Sequence, residues 1–391
     1  MTNRPLRIAL VQTQAENAGA QEISRIVAQG LEARGHHVSQ IFFFRRTKSF
    51  DAVQNARIVC PQRPSSPWAM VKFLVRLRAT LREARPDAVL TFQHYGNIIA
   101  APVARSLGLR VVIANQVTAA AMLHPLVRGA DAVLGTIGAY SRIVINSVET
   151  EDMYGRYWRP YSRRILRIEH GFQDKTSAAA REGARSAFGL PQDVTLLGCA
   201  SRLSPAKQLD SAIRVLALRP ALHLALAGQG SDRERLVTLA ATLGVSNRLH
   251  FVGELDPSEI GVFLAGLDVF LHPSAAETFG LAPVEAAQAG VPVVCNTLDV
   301  LRDVLQVDGA PCALFADAAS PEAFSDAVDR ILSEPGLADD LRRVGRRLTE
   351  RYPVDAMVDH YARLVEALVE EVDPCVLPSS SPRMPSGAGM A

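Results

Sequence analysis

VTLLGCASRLSPAKQLDSAIRVLALRPALHLALAG (194–228) reads as strand, loop, helix, strand. VTLLGCAS (194–201) and LHLALAG (222–228) are short apolar runs of strand length. Between them, QLDSAIRVLALRP (208–220) reads as a helix that stops at Pro220. A strand joined to the next through a helix belongs to a parallel sheet covered by helices.

The same rhythm extends in both directions. Downstream come a helix over 231–244, strands at RLHFVG (248–253), VFLHPS (269–274) and PVVCN (292–296), and helices at about 321–333 and 336–349. Upstream, RIALVQT (7–13), HVSQIFF (37–43), DAVLTF (87–92), RVVIAN (110–115) and RIVINS (142–147) read as strands. ISRIVAQGLEARG (23–35) has helical spacing and ends at Gly35. The expected fold class is α/β, with two doubly wound domains facing across a cleft: residues 1–180 and 181–353. An amphipathic helix over 354–372 is expected to pack back on the first domain. A Pro-, Ser- and Gly-rich tail over 373–391 is expected to be disordered. Ligands bind such folds at the carboxyl ends of the strands.

The 391 residues are 48% hydrophobic, enough for a sizeable core. The five cysteines are scattered, with no CxxC spacing, which points to a reducing, cytoplasmic setting. No apolar run is long enough to span a bilayer, and the N-terminus reads as a first strand, not a leader. Net charge is +2, but residues 1–180 hold 24 Lys/Arg against 12 Asp/Glu, and residues 181–391 hold 18 against 28. A basic first half paired with an acidic second half points to an anionic partner for the first.

Chemistry concentrates after strand ends. In AAETFGLAPVEAAQAGVPVV (275–294), Glu277 lies in a loop and Glu285 about one turn inside the following helix. They are either solvated acids at a helix start or a grip on a polar ligand. The amides of Phe279, Gly280 and Leu281 stand at that helix's N-terminus, which suits phosphate or sugar hydroxyls. In SRLSPAKQLD (201–210), Arg202 and Lys207 are either a solvated basic loop or two cations spaced to hold a diphosphate from one turn. LAGQG, with Gly228, lacks the third glycine of GxGxxG and by itself is a tight βα turn. FVGEL, with Gly253, Glu254 and Leu255, is by itself a plain strand-end turn, whose backbone can also meet a base edge.

Taken in order, Arg202…Lys207, LAGQG, FVGEL, LDVFLHPS and Glu277…Glu285 resemble the retaining family 4 glycosyltransferases, whose fold is GT-B. The resemblance is strong over about 190–350 and looser over 1–180. It implies that Arg202 and Lys207 hold the donor diphosphate, that Glu285 accepts hydrogen bonds from the ribose, and that Glu277 contacts sugar hydroxyls. It further implies that Phe279, Gly280 and Leu281 touch sugar and phosphate, and that Gly253, Glu254 and Leu255 read the base. ENAGAQE (16–22) is similar to the family's glycine-rich first loop, with Gly19 matching and Ala18 departing. Where many members carry a histidine after the strand matching RVVIAN, this chain has Asn115-Gln116, with His94 nearby in TFQHYGN; both stand as acceptor-side candidates. His170 occupies a position where the family usually has Asn.

The expected activity is therefore transfer of a hexose-type sugar, with retention, from a UDP- or GDP-linked donor to a glycan or lipid-linked acceptor. Cell-surface polysaccharide or lipopolysaccharide assembly is the expected setting. No DxD-type pair stands at a strand end, so no obligatory metal and no other cofactor are expected. Alternatives are a silent sugar-nucleotide-binding subunit, or another GT-B enzyme such as an epimerase or phosphorylase. A Rossmann dehydrogenase is disfavoured because no GxGxxG follows the first strand. PSSPWAMVKFLVRLRATLREARP (64–86) and YGRYWRPYSRRILR (154–167) interleave arginines with aromatics, which suits either an anionic membrane surface or core-packing helices with a solvated basic face. No nucleic-acid motif accompanies them.

Overall fold

Short Val/Ile/Leu-rich runs separated by helices cannot pair as hairpins, and backbone hydrogen bonding sorts them into two parallel sheets. The computed structural model describes residues 4–118 and 122–372. Among these, the first sheet holds β1 (Arg7–Ala15), β2 (His37–Arg45), β3 (Ala56–Cys60), β4 (Ala88–Phe92), β5 (Val111–Gln116), β6 (Arg142–Ile145) and β7 (Ile165–Arg167). Their spatial order is β3-β2-β1-β4-β5-β6-β7.

The second sheet begins with β8 (Thr195–Ala200), β9 (Leu222–Ala227), β10 (Leu249–Gly253), β11 (Val269–His272) and β12 (Val293–Asn296). A small antiparallel hairpin follows, β13 (Gln306–Val307) with β14 (Ala310–Pro311), and β15 (Ala313–Ala316) completes the sheet. The order is β10-β9-β8-β11-β12-β15, and every pairing in both large sheets is parallel. This is the pair of doubly wound domains that the sequence rhythm predicts.

β3, β7 and β15 go beyond the sequence expectation. All three are short edge strands with half-exposed residues, so their apolar pattern is diluted. The helix expected over 336–349 is two pieces, Leu337–Gly345 and Leu348–Arg351.

In each sheet the chain winds outward from one central strand, then crosses to that strand's other side. β1 and β4 flank the crossing in the first sheet; β8 and β11 flank it in the second. At such a switch point neighbouring loops diverge and leave a crevice at the carboxyl ends of the strands.

The helix Val354–Val372 buries Met357, Val358, Tyr361, Ala362, Val365, Leu368 and Val369 in the core that contains β1, β4 and the helix Gly19–Ala33. A Cβ on Gly30 would lie 2.4 Å from Val358 Cγ1, so the two helices touch through that glycine. The Tyr361 hydroxyl donates to Asn115 Oδ1 at 2.6 Å. Residues 373–391, including Cys375 and the tail expected to be disordered, lie outside the described residues. Cys60, Cys199, Cys295 and Cys312 are buried free thiols.

Candidate active site

The two switch points face one cleft of about 710 Å³. After β8 the chain leaves the sheet through Arg202 and enters a turn of 3-10 helix, Pro205–Lys207. Gln208, at φ 45°, redirects it into the helix Leu209–Leu218. The Ala275 amide donates to the Ala206 carbonyl at 2.9 Å, tying the loop after β8 to the loop after β11. Lys207 and Glu277 are thereby placed together, and Lys207 Nζ donates to Glu277 Oε1. His272, the last residue of β11, contacts the same oxygen through Nε2 at 2.7 Å. Burial pushes the Glu277 carboxyl up, but Lys207 and the His272 hydrogen bond outweigh it and hold the group well below its usual range. Glu277 is therefore an anion throughout ordinary pH.

The glycines of LAGQG serve backbone approach. Gly228 has φ 129°, and a Cβ there would lie 1.9 Å from the Ser201 carbonyl oxygen. A Cβ on Gly230 would lie 1.9 Å from the Leu203 oxygen. Both bring the β9 turn against the loop that carries Arg202, joined by the Leu203 amide donating to the Gln229 carbonyl at 2.9 Å. The Gly228 amide in turn donates to the Gly253 carbonyl at 2.6 Å. A motif that is weak in isolation is thus the seat of the cationic loop.

The helix Leu281–Gln288 starts at Gly280, whose φ of 85° places it in the left-handed region. It ends at Gly290, φ 83°, whose amide donates to the Ala287 carbonyl. Glu285, one turn inside, points into the cleft and is mostly buried. Burial raises its carboxyl, Lys175 pulls it down, Glu22 raises it and Arg25 lowers it; the result is about 7.

Arg202, Lys207, Glu277, Gly19, Gly228, Glu254, Leu255, Phe279, Gly280, Leu281 and Glu285 all line this one cleft. Gly253 does not line it and supports the β9 turn. The acceptor-side candidates fare differently. Asn115 is a correction: at 1% exposure it lies in the core, where Nδ2 donates to the Thr91 carbonyl at 3.0 Å and Oδ1 accepts from Tyr361. It tethers the last helix because the end of β5 runs beneath it. His94 opens the helix His94–Ser106 and does not line the cleft; burial lowers its ring to about 4. Gln93, just before it, does line the cleft and holds φ 66°.

Several contacts in the cleft go beyond the sequence expectation. Glu16 accepts from Arg202 across the cleft and from Arg46 Nε at 3.1 Å. Glu254 Oε1 accepts from the Asn17 amide at 2.8 Å and from the Thr47 and Ser49 hydroxyls at 3.2 Å. Lys175, in the segment between the domains, reaches Glu22. Their partners are far away in sequence, and no local spacing announces them. His170 is buried against Phe279, with ring centroids 5.2 Å apart, and Nε2 lies 2.9 Å from the Asn146 amide nitrogen. Burial lowers its ring to about 3, so it is neutral.

Residues 180–348 match the family described as Glycosyl transferases group 1, and residues 18–150 match Glycosyl transferase 4-like domain. Among curated relatives, the O-antigen biosynthesis glycosyltransferase WclY of Escherichia coli is 26% identical over 48% of this chain and 51% of its own. D-inositol 3-phosphate glycosyltransferase of Mycolicibacterium smegmatis is 30% identical over 57% of this chain and 52% of its own. The match thus spans about half the length of these relatives. Among solved structures, Anabaena HepE in complex with UDP-glucose superimposes with a TM-score of 0.78 at 18% identity, covering 92% of this chain and 99% of that one. Sucrose-phosphate synthase from Thermosynechococcus elongatus gives 0.77 at 20% identity, covering 93% and 99%. These likenesses establish the GT-B fold.

Proposed function

The chain belongs to the group 1 glycosyl transferases, and from that premise we propose that it moves a hexose-type sugar, with retention, from a UDP- or GDP-linked donor to a glycan or lipid-linked acceptor. The observation that carries the reading is Arg202 and Lys207 on one rigid loop, facing Glu277 and Glu285 within one cleft. The diphosphate lies against Arg202 and Lys207, the ribose hydroxyls donate to Glu285, and the sugar hydroxyls meet Glu277. The C1–O bond to the diphosphate breaks as the acceptor oxygen bonds to C1 on the same face. The departing phosphate oxygen takes the acceptor's proton. Glu277 is engaged by Lys207 and His272, so a double displacement through a covalent glycosyl-enzyme has no free carboxylate there. Arg202 and Lys207 stabilise the departing charge without an obligatory metal, and orientation supplies the rest. A role in surface polysaccharide or lipopolysaccharide assembly is in keeping with the relative named for O-antigen biosynthesis.

Thermal shift in chelator-containing buffer tests the donor reading. One nucleotide sugar of a UDP/GDP panel is expected to raise Tm, since ligand at about 100 times Kd adds roughly 2.7 kcal/mol to the folded state. No shift with any of them sinks it.

The basic half is the proposed acceptor and membrane side, at the cytoplasmic face. The helix Pro67–Ala84 turns Phe73, Leu77 and Leu81 into the core but leaves Trp68 68% exposed, beside Met70, Val71 and Val75. Lys72 lies over the Trp68 ring at 5.9 Å. In the second basic segment Tyr154 and Tyr161 are buried and donate to the Thr118 carbonyl and to Asp131, leaving Trp158 exposed. Exposed tryptophans among cations fit an anionic interface. No helix among the described residues is long and apolar enough to cross a membrane. Flotation with phosphatidylglycerol vesicles is expected to carry the protein at low salt, and to carry less of a Trp68→Ser/Trp158→Ser variant. Equal flotation of the two, or none, counts against the idea.

A further inference from the structure

Lys175 lies in the segment that joins the domains, yet its backbone is clamped to the second one. Its amide donates to Gln288 Oε1 at 2.9 Å. Its carbonyl passes so close to Gly261 that a Cβ there would lie 2.4 Å from it. The side chain, 7% exposed, runs into the cleft, where Nζ donates to the Pro257 carbonyl at 3.3 Å. The same Nζ stands between two carboxylates. Glu22 Oε1, from the first domain's helix Gly19–Ala33, is at 3.3 Å; Glu285 Oε1, from the second domain, is at 3.9 Å. Arg25 pairs with Glu22 from one turn further along.

We propose that Lys175 is a positioning residue: it holds the Glu285 carboxylate for the donor ribose, while Glu22 competes for the same ammonium whenever the first domain is closed against it. The proposal rests on the reading of Glu285 as the ribose acceptor. Its physical basis is that Lys175 is shared between two buried carboxylates, of which Glu22 has Arg25 as a second partner, so moving Glu22 away leaves the ammonium to Glu285 alone. Opening the cleft therefore readies Glu285 as an acceptor, and closing it weakens that ionisation. The charged groups facing Glu285 are Lys175, Glu22 and Arg25.

The titration of Glu285 gives the test. Its carboxyl stands at about 7 in the folded protein against an ordinary 4.5. A raised carboxyl contributes stability that is present below pH 4.5 and is lost as pH rises through about 7. Tm measured from pH 4.5 to 9 on the intact chain, minus the same curve for Glu285→Gln, isolates this loss. Lys175→Met and Lys175→Gln are expected to move it to higher pH, Lys175→Arg to leave it in place, and Glu22→Gln to move it lower. In parallel, the tighter binder of UDP and GDP is titrated calorimetrically. Lys175→Met is expected to bind it about fivefold more weakly at pH 7, as an upward shift of about one unit implies, with affinity recovered near pH 9. An unmoved stability window in both Lys175→Met and Glu22→Gln overturns the proposal. Opposite window shifts with unchanged nucleotide affinity in Glu285→Gln uphold the Lys175–Glu22 competition and overturn the ribose reading.

Discussion

Lys207→Ala is expected to lower the transfer rate by roughly 10²-fold or more in a protein that still folds, comparable to removing one preorganised stabilising group. Lys207 is three-quarters buried on a turn whose geometry is set from two sides: Gln208 at φ 45° closes it, and the Ala275 amide holds the Ala206 carbonyl. An ammonium held this way needs no reorganisation when charge moves onto the leaving diphosphate. The loss should fall on kcat, because the interaction strengthens as the C1–O bond breaks. Glu277 keeps its His272 contact in the variant, so the fold retains a partner for that carboxylate. Lys207→Arg keeps the charge but not the shape and is expected to fall between the two. Full transfer activity in folded Lys207→Ala, measured with the donor found by thermal shift, would rule out the assigned role.

Glu277→Gln carries the second largest expected effect. The carboxylate joins Lys207, the cation proposed for the diphosphate, to a histidine at the end of β11, so it holds the position of Lys207 in addition to its proposed contact with the sugar. A hydrogen bond to a charged group contributes about 1.5–3 kcal/mol, which sets the loss in kcat/KM at roughly 10- to 150-fold. Its division between kcat and KM separates two roles. A rise in KM at constant kcat marks a group that only holds the sugar; an equal fall in kcat and kcat/KM marks one that acts in the transition state. The depressed carboxyl contributes stability that is present above pH 4.5 and is lost as pH falls below it. Wild-type and Glu277→Gln should therefore have parallel pH–rate profiles between pH 5 and 9. A limb in that range that is present in the wild type and missing from the variant would contradict an ionised Glu277.

Much of this architecture is legible in the chain. β8, β9, β11 and β12 are short apolar runs with helices between them, and period and length identify them without knowledge of their neighbours. The donor-side candidates are legible for a related reason. Arg202 and Lys207 share one loop, and Glu277 and Glu285 share one loop-helix junction, so their proximity within each pair follows from a few backbone dihedrals. The short edge strands β3, β7 and β15 were less legible, because an edge buries less and so shows weaker patterning.

Linear distance hid the rest. Asn115 stands at the end of a cleft-ward strand, where an acceptor-side residue belongs by position. What places it in the core is Tyr361, 246 residues away, on a helix that returns to the first domain after the second is complete. The aromatics of 154–167 look alike in sequence, but Tyr154 and Tyr161 turn inward and Trp158 outward. Glu16 meets Arg202, and Lys175 meets Glu22, only because two separately folded sheets face each other. By itself the sequence determined the two parallel sheets and which loops bear charge, since those depend on residues a few positions apart. The tertiary structure decided which of those charges meet, because ion pairing and burial depend on distance in space, which a chain of 391 residues leaves open until both domains are folded.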